Sequence, residues 1–396
     1  MSHSLRAALG CLPLALSMLA QPAGAAPFRP RSDAQVLATV PARASDPRAR
    51  ELAELRAAWR AAPQDVGRAT ALARRYFEQV AAEGDPRYIG YAESALQPWW
   101  ALPDPPPDVR VLRAMLLQFD HRFEPALADL AAALQARPDD GVAWSWQTAI
   151  LMVRADYDAA RRSCEGLALR APPLVATACR AQVDAVTGRA EQAATALRAA
   201  LQKATGAGPE ERLWVLTRLA ETEERLGRFA AAEQAFTEAI QLGVADVYLQ
   251  AAFADFLLDR GRAAEVLKLL ADGRRADVLL LRLALAAKAA RPPQAPALAA
   301  ELAARFAAAR QRGDTTHRKE ESRFVLALQG DVPRALALAQ QNWREQREPA
   351  DARILLEAAL AARDRAAAQP VLDWMKTWGV QSVALHSLAS QLRALP

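Results

Sequence analysis

The sequence predicts an all-α fold, a file of stacked antiparallel helix pairs, and three observations lead there. Alanine and leucine dominate the 396 residues, aromatic residues make up only 6%, and runs of Val, Ile and Thr that would read as strands are nearly absent. In "ERLGRFAAAEQAF" (224–236) a single glycine, Gly227, interrupts an alanine-rich helical stretch, although glycine costs about 1 kcal/mol against alanine inside a helix. One helix therefore ends there and another begins. Thirty-four residues later "DRGRAAEVL" sets Gly261 before another apolar helical pattern.

Taken from the N-terminus, the first residues differ from the rest. Arg6 supplies a positive start, "AALGCLPLALSMLA" (7–20) is an apolar stretch too short for a membrane span, and "AGA" (23–25) offers small residues for cleavage. This pattern predicts a secretory signal peptide over residues 1–25, cut after Ala25 or Ala26, and hence a periplasmic or secreted protein. A lipoprotein is the competing reading, since "ALGC" ending at Cys11 loosely resembles a lipobox, but more of the apolar stretch follows it. Residues 26–45 carry proline and mixed charge and are expected to be disordered.

Residues 46–106 read as a leading helix (46–61) and a first degenerate helix pair. "ATALARRYFEQVAAE" makes its first helix, and "GDPRYIGYAESALQPWW" (84–100) its second, with Tyr88, Tyr91, Ala92 and Leu96 on one face. "ALPDPPPD" (101–108) is expected to be a stiff non-helical spacer, because clustered proline removes donors and restricts the residue before each ring. Residues 107–275 hold the core repeats. The residue two after each turn falls at 123, 157, 190, 229 and 263, in steps of 34, 33, 39 and 34. Around Gly227, Ala220 precedes the turn while Phe229, Ala232, Phe236 and Ala239 follow at helical spacing, so small residues allow close approach and rings fill the groove between pairs. Residues 276–396 are looser: "RPPQAP" (291–296) replaces a turn, "RQRGDTTH" (310–317) is a polar loop, and a helix pair returns around Gly330 and Asp331. About nine helix pairs result.

A helix-turn-helix unit of 34 residues, with alanine at its eighth, twentieth and twenty-seventh places and a turn glycine, resembles the tetratricopeptide repeat (TPR). The best copy is 213–246, departing at Glu223 and Val244 where tyrosine and proline are usual, and the resemblance covers roughly residues 69–380. It implies a right-handed superhelical solenoid whose first helices line a continuous concave groove. The stretches "GDPRYIGYAESALQPWW" and "NWREQREPADARILLEAAL" also resemble uncharacterised proteobacterial periplasmic or secreted TPR proteins, which implies a lineage without a mechanism.

No local motif points to catalysis. Gly-x-Ser-x-Gly, a Gly-rich phosphate loop and His-Glu-x-x-His are all missing, and His3, His121, His317 and His386 are scattered. No cofactor, metal site or catalytic residue is therefore expected. "HRKEES" (317–322) reads as an exposed charged face opening a helix. In "QPWW" (97–100) adjacent tryptophans point about 100° apart, so at most one serves a given face and core packing is favoured. The resemblance makes Trp144 core, while Trp146 is less constrained. Cys11 leaves with the signal peptide. Cys164 and Cys179 remain, either bridged between neighbouring helices or as two small buried thiols.

Loss of Arg6 with the signal peptide lowers the formal charge from +5 to +4, and the dispersed arginines form no basic stripe with stacking aromatics, so no nucleic-acid partner is expected. No later segment reaches 18 continuous apolar residues, so the chain is not expected to span a membrane. By the resemblance, a protein or peptide partner would lie in the groove, facing Asp108, Val111, Met115, Gln118, Ser145, Ala149, Met152, Ala178 and Gln182. Further along it would meet Trp214, Thr217, Glu221, Glu224, Tyr248, Asp255 and Asp259. Two aromatics and four acids in the 213–259 stretch suit a basic, partly apolar peptide. The predicted function is a non-enzymatic scaffold or adaptor of the bacterial cell envelope, serving assembly, export or a polysaccharide apparatus. The alternative is an enzyme or regulatory subunit with a dispersed acidic and arginine site. Oligomeric state is left open, with association through the terminal repeats a third possibility.

Overall fold

A computed structural model describes Ser32 and residues 47–395. The expected signal peptide over 1–25 lies outside the described residues, as does the expected disordered segment 26–45 apart from Ser32. The chain divides into residues 1–50, of which Ser32 and the first turn of a helix are described, and residues 51–396, which carry the repeats.

All regular structure among the described residues is helical. A leading helix α1 (Pro47–Ala61) is followed by nine antiparallel pairs. These are α2 (Val66–Glu83) with α3 (Arg87–Trp100), α4 (Pro107–Phe119) with α5 (Phe123–Ala136), and α6 (Gly141–Val153) with α7 (Tyr157–Ala168). Next come α8 (Pro173–Val186) with α9 (Ala190–Lys203), α10 (Pro209–Arg225) with α11 (Phe229–Gln241), and α12 (Val247–Asp259) with α13 (Ala263–Leu269). The last three are α14 (Asp277–Ala290) with α15 (Ala295–Gln311), α16 (Arg318–Phe324) with α17 (Val332–Glu345), and α18 (Pro349–Ala362) with α19 (Arg365–Trp378). α16 runs on through one wide π turn over 325–329, and α20 (Val383–Arg393) closes the series.

The turn inside each pair carries one residue in the left-handed region: Gly84, His121, Ala155, Gly188, Gly227, Gly261, Arg291, Gly330 and Arg363. That single backbone requirement explains why Gly227 interrupts its helix, since a residue without Cβ takes positive φ at no steric cost. At His121, Ala155, Arg291 and Arg363 the same turn is made with φ of 55 to 58° despite a side chain. The step of 39 between Gly188 and Gly227 arises from a longer α10, 17 residues against 13 in α12, together with the loop that precedes it.

Alanine at the crossing points lets the helices close. Ala220, Ala232 and Ala239 are fully buried, and Phe236, also fully buried, stacks on Phe253 with ring centroids 5.2 Å apart. Aspartates start several helices by accepting a backbone amide, as Asp140 does from Ala143 and Asp246 from Leu249. Trp99 is buried while Trp100 is half-buried, and Trp146 packs edge-on to Phe77.

Two expectations need correction. The proline spacer ends earlier than expected: Pro107 and Asp108 already belong to α4, because proline fits the first helical turn, where its missing N–H has no acceptor anyway. "HRKEES" is not an exposed face. Ser322 is fully buried and donates to the Ala335 carbonyl at 2.8 Å, and Glu321 is buried against Arg310 and Arg334. The reason is that its own pair partner α17 and the preceding α15 pack over this segment.

The return of later helices onto earlier ones is the main departure from a simple open file. The Arg347 amide donates to the Val153 carbonyl at 2.8 Å, the Ala190 amide to Gln381 Oε1 at 2.8 Å, and Trp374 Nε1 to the Tyr157 hydroxyl at 3.1 Å. Met152, Tyr157, Cys164 and Cys179 share one apolar core with Trp343, Leu355, Trp374 and Leu385. Cys164 and Cys179 are joined as a disulfide between α7 and α8, with Cα atoms 5.6 Å apart. At the other end of the array, Arg275 pairs with Glu83 at 2.8 Å.

Candidate functional site

The residues expected to line a groove are met in three different conditions. Met115, Met152, Thr217 and Ala178 are buried, and Thr217 spends its hydroxyl on the Leu213 carbonyl of its own helix at 2.8 Å. Gln118, Gln182 and Trp214 are half-buried. The acids of the 213–259 stretch and Tyr248 form the third group, and most of those already have partners within the chain.

Asp255 receives Arg282 from α14 and Arg323 from α16, each at 2.6 Å. Burial alone would raise its pKa, but the two guanidinium groups outweigh it and hold the carboxyl well below the usual range. Asp259 is gripped by both terminal nitrogens of Arg353 from α18, at 2.5 and 2.7 Å, and the same guanidinium donates to Glu357 at 2.7 Å. Such two-point arginine pairs are the strong form of ion pair. The open trough expected over 213–259 is therefore closed there by the chain's own later helices. The chemistry foreseen for a partner, basic groups on partly apolar segments, is supplied in cis.

Above this clasp lies a polar chamber. Tyr248 donates to Glu221 at 2.5 Å, and Arg218 donates to Glu221 at 2.9 Å and lies over the Tyr248 ring, 4.7 Å from its centroid. Tyr248 is 49% exposed overall, yet its hydroxyl is held above the usual phenol range. Burial of the hydroxyl end is the larger cause, and Glu221 adds to it against the pull of Arg218. The Glu224 side chain makes no hydrogen bond or ion pair among the described residues; burial, with Asp259 and Glu221 nearby, pushes its carboxyl up to about 7. A second buried group surrounds Asp351, which accepts from Asn342 and from the Glu348 amide, each at 2.9 Å, with Lys319 at 3.7 Å. Burial would lower the Lys319 pKa, but Asp351, Glu320 and Glu348 together keep it raised.

Arg218, Arg225 and Glu348, which share this chamber, escape a reading of the sequence. In "RLAETEER" (218–225) the first and last arginines lie seven apart, so the helical period of 3.6 puts them on one face with Glu221 between. That stripe was available as a signal, although it falls outside the repeat places carried over from the family. Glu348 precedes Pro349 at a helix start and carries no periodic signature. His121 meets Gln346 at 2.8 Å, joining a turn of the second pair to the end of the eighth. Among the described residues no group of His, Cys, Asp or Glu could hold a metal ion, and no helix is long and apolar enough to cross a membrane.

No protein-family model matches the chain, and no curated protein matches it. Solved structures do. A chain of the APC/C hetero-tetramer Cut9–Hcn1 is 12% identical, with 83% of this chain and 63% of that chain covered and a TM-score of 0.48. The present chain thus spans less than two thirds of that one. Human IFIT1, in a dimer with PPP-AAAA, is 14% identical over 89% of this chain and 88% of that chain, with a TM-score of 0.45. A tetratricopeptide repeat protein from Parabacteroides merdae is 12% identical over 81% and 98%, with a TM-score of 0.32. The nine left-handed turns and their pairs decide the fold without these likenesses. It is a TPR-like solenoid. Such a fold stacks its pairs so that exposed helix faces form long surfaces.

Proposed function

We propose that the protein is a non-enzymatic scaffold or adaptor of the bacterial cell envelope, delivered by the N-terminal signal peptide and holding a basic protein segment in an assembly, export or polysaccharide apparatus. The observation that carries this reading is the acid set Glu221, Glu224, Asp255 and Asp259 on the concave side of α10 and α12, two of which already grip arginines of later helices. A face that accepts guanidinium groups from its own chain suits a partner of the same chemistry, and that partner would compete with the later helices for it. The arginine pair at Asp259 is the accessible end of this contact, with side-chain exposure of 20% and 30%.

Affinity capture from a bacterial envelope extract, with the full chain as bait, tests the reading. A stoichiometric partner should be retained, released by an arginine-rich competitor peptide, and captured more strongly by Arg353→Ala, which frees Asp259. Retention unaffected by both the competitor and the variant would overturn it. Asp255 is unsuitable as a probe of capture, since its loss leaves two enclosed arginines unpaired. N-terminal sequencing of the protein from a cell fraction outside the cytoplasm should begin at Ala26 or Pro27; an intact Met1 would contradict the envelope assignment.

A further inference from the structure

One cavity of about 90 Å³ within the chamber is lined by Gln182, Arg218, Glu221, Arg225, Tyr248 and Glu348, with Met152, Tyr157 and Val186 as its apolar wall. Arg218 is already committed to Glu221. Arg225 is not: no carboxylate pairs with it among the described residues, its Nη2 donates only to the Thr222 hydroxyl at 3.2 Å, and its Nε is buried with no acceptor. Of the five N–H donors in a guanidinium, one is used. Glu348 is its counterpart. Apart from capping the start of α18 it has no partner, and no cation forms an ion pair with it among the described residues.

A half-buried cation and a half-buried carboxyl on the same cavity, each without an ion-pair partner, are costly to keep unless something brings them opposite charges. Burial pushes the Arg225 pKa down and that of Glu348 up, as expected of groups whose charge is poorly compensated. They do not satisfy one another: Arg225 donates to Thr222 and Glu348 caps its own helix, and no ion pair joins the two among the described residues. The cavity is large enough for more than one water molecule and so for a small organic molecule. A lone oxyanion would neutralise Arg225 and repel Glu348, and a lone ammonium would do the reverse. A molecule bearing both answers both.

We propose that this cavity binds a small zwitterion of the amino-acid class, its carboxylate on Arg225 and Gln182, its ammonium on Glu348, and a short aliphatic group against Met152 and Val186. This goes beyond the scaffold reading and does not depend on it. Calorimetric titration of the full chain near neutral pH with L-alanine, glycine, acetate and methylammonium tests it. Alanine and glycine should bind saturably at one site, and acetate and methylammonium about tenfold or more weaker, since a hydrogen-bonded charge contributes about 1.5–3 kcal/mol. Arg225→Gln and Glu348→Gln should each weaken alanine about tenfold or more with an unchanged helical spectrum. Acetate binding as tightly as alanine would overturn the proposal in favour of a plain oxyanion site, and no heat with any probe would overturn it altogether. Because the ligand series is run on the unaltered chain, a variant that failed to fold would not rescue the idea.

Discussion

Glu224 turns the closed concave side into a pH-dependent quantity. Its carboxyl lies on α10 with burial, Asp259 and Glu221 raising its pKa to about 7 from an ordinary value of 4.5, and Arg353 opposing them. Between those two values the folded chain holds a proton that the unfolded chain has released, so stability falls as pH rises. At about 1.36 kcal/mol per pH unit the difference amounts to about 3 kcal/mol, fully present as stability below pH 4.5 and lost as pH passes through 7. Glu224→Gln keeps the shape of the protonated form and cannot ionise. Urea unfolding of both proteins from pH 4.5 to above pH 8 isolates the effect, since titrating groups that do not interact with Glu224 cancel in the difference. The variant should match the unaltered chain at the acid end and exceed it by about 3 kcal/mol at the alkaline end. A difference that does not change with pH would refute the reasoning, because it would mean the carboxyl ionises as freely in the fold as outside it.

Three further outcomes are expected from the same structure. Replacing Cys164 and Cys179 together by alanine releases a loop closed across 15 residues and should lower the unfolding free energy by about 3 kcal/mol in urea titration. Tyr157→Phe removes the acceptor of Trp374 Nε1 in a buried site and should cost about 1–3 kcal/mol by the same assay, with tryptophan fluorescence altered. Ala155→Gly relieves a side chain held at φ of 58° and should raise the melting temperature, the gain being about 0.5–1 kcal/mol after the extra freedom of the unfolded glycine is subtracted.

The fold was legible because its key device is local. Gly188, Gly227 and Gly261 mark a left-handed position that the chain needs once per pair, and the alanines and Phe236 around it repeat with the helix period. Even where His121 or Arg363 stands in the glycine's place, flanking apolar residues keep the beat. The folding back of the later helices was not legible, since it rests on pairs such as Arg353 with Asp259, 94 residues apart, and Arg323 with Asp255, 68 apart. Ion pairs between distant segments leave no periodic trace, so Asp255 reads as a free groove acid, whereas "HRKEES" is covered by the adjacent helices α15 and α17. The family's repeat places include Glu221, Gln182 and Tyr248, which line one cavity. They passed over Arg218 and Arg225, which the simple spacing of seven on α10 would have joined to them.

The ion pair of Arg353 on α18 with Asp259 on α12 ties the later helices to the earlier ones, and a double-mutant cycle on these two residues tests that contact most directly. With side-chain exposures of 20% and 30% and two hydrogen bonds between them, Asp259→Ala and Arg353→Ala should each destabilise the chain, while the double variant loses less than their sum by about 0.5–3 kcal/mol. Strictly additive losses would contradict that contact, because residues so far apart in sequence couple only when the fold brings them together.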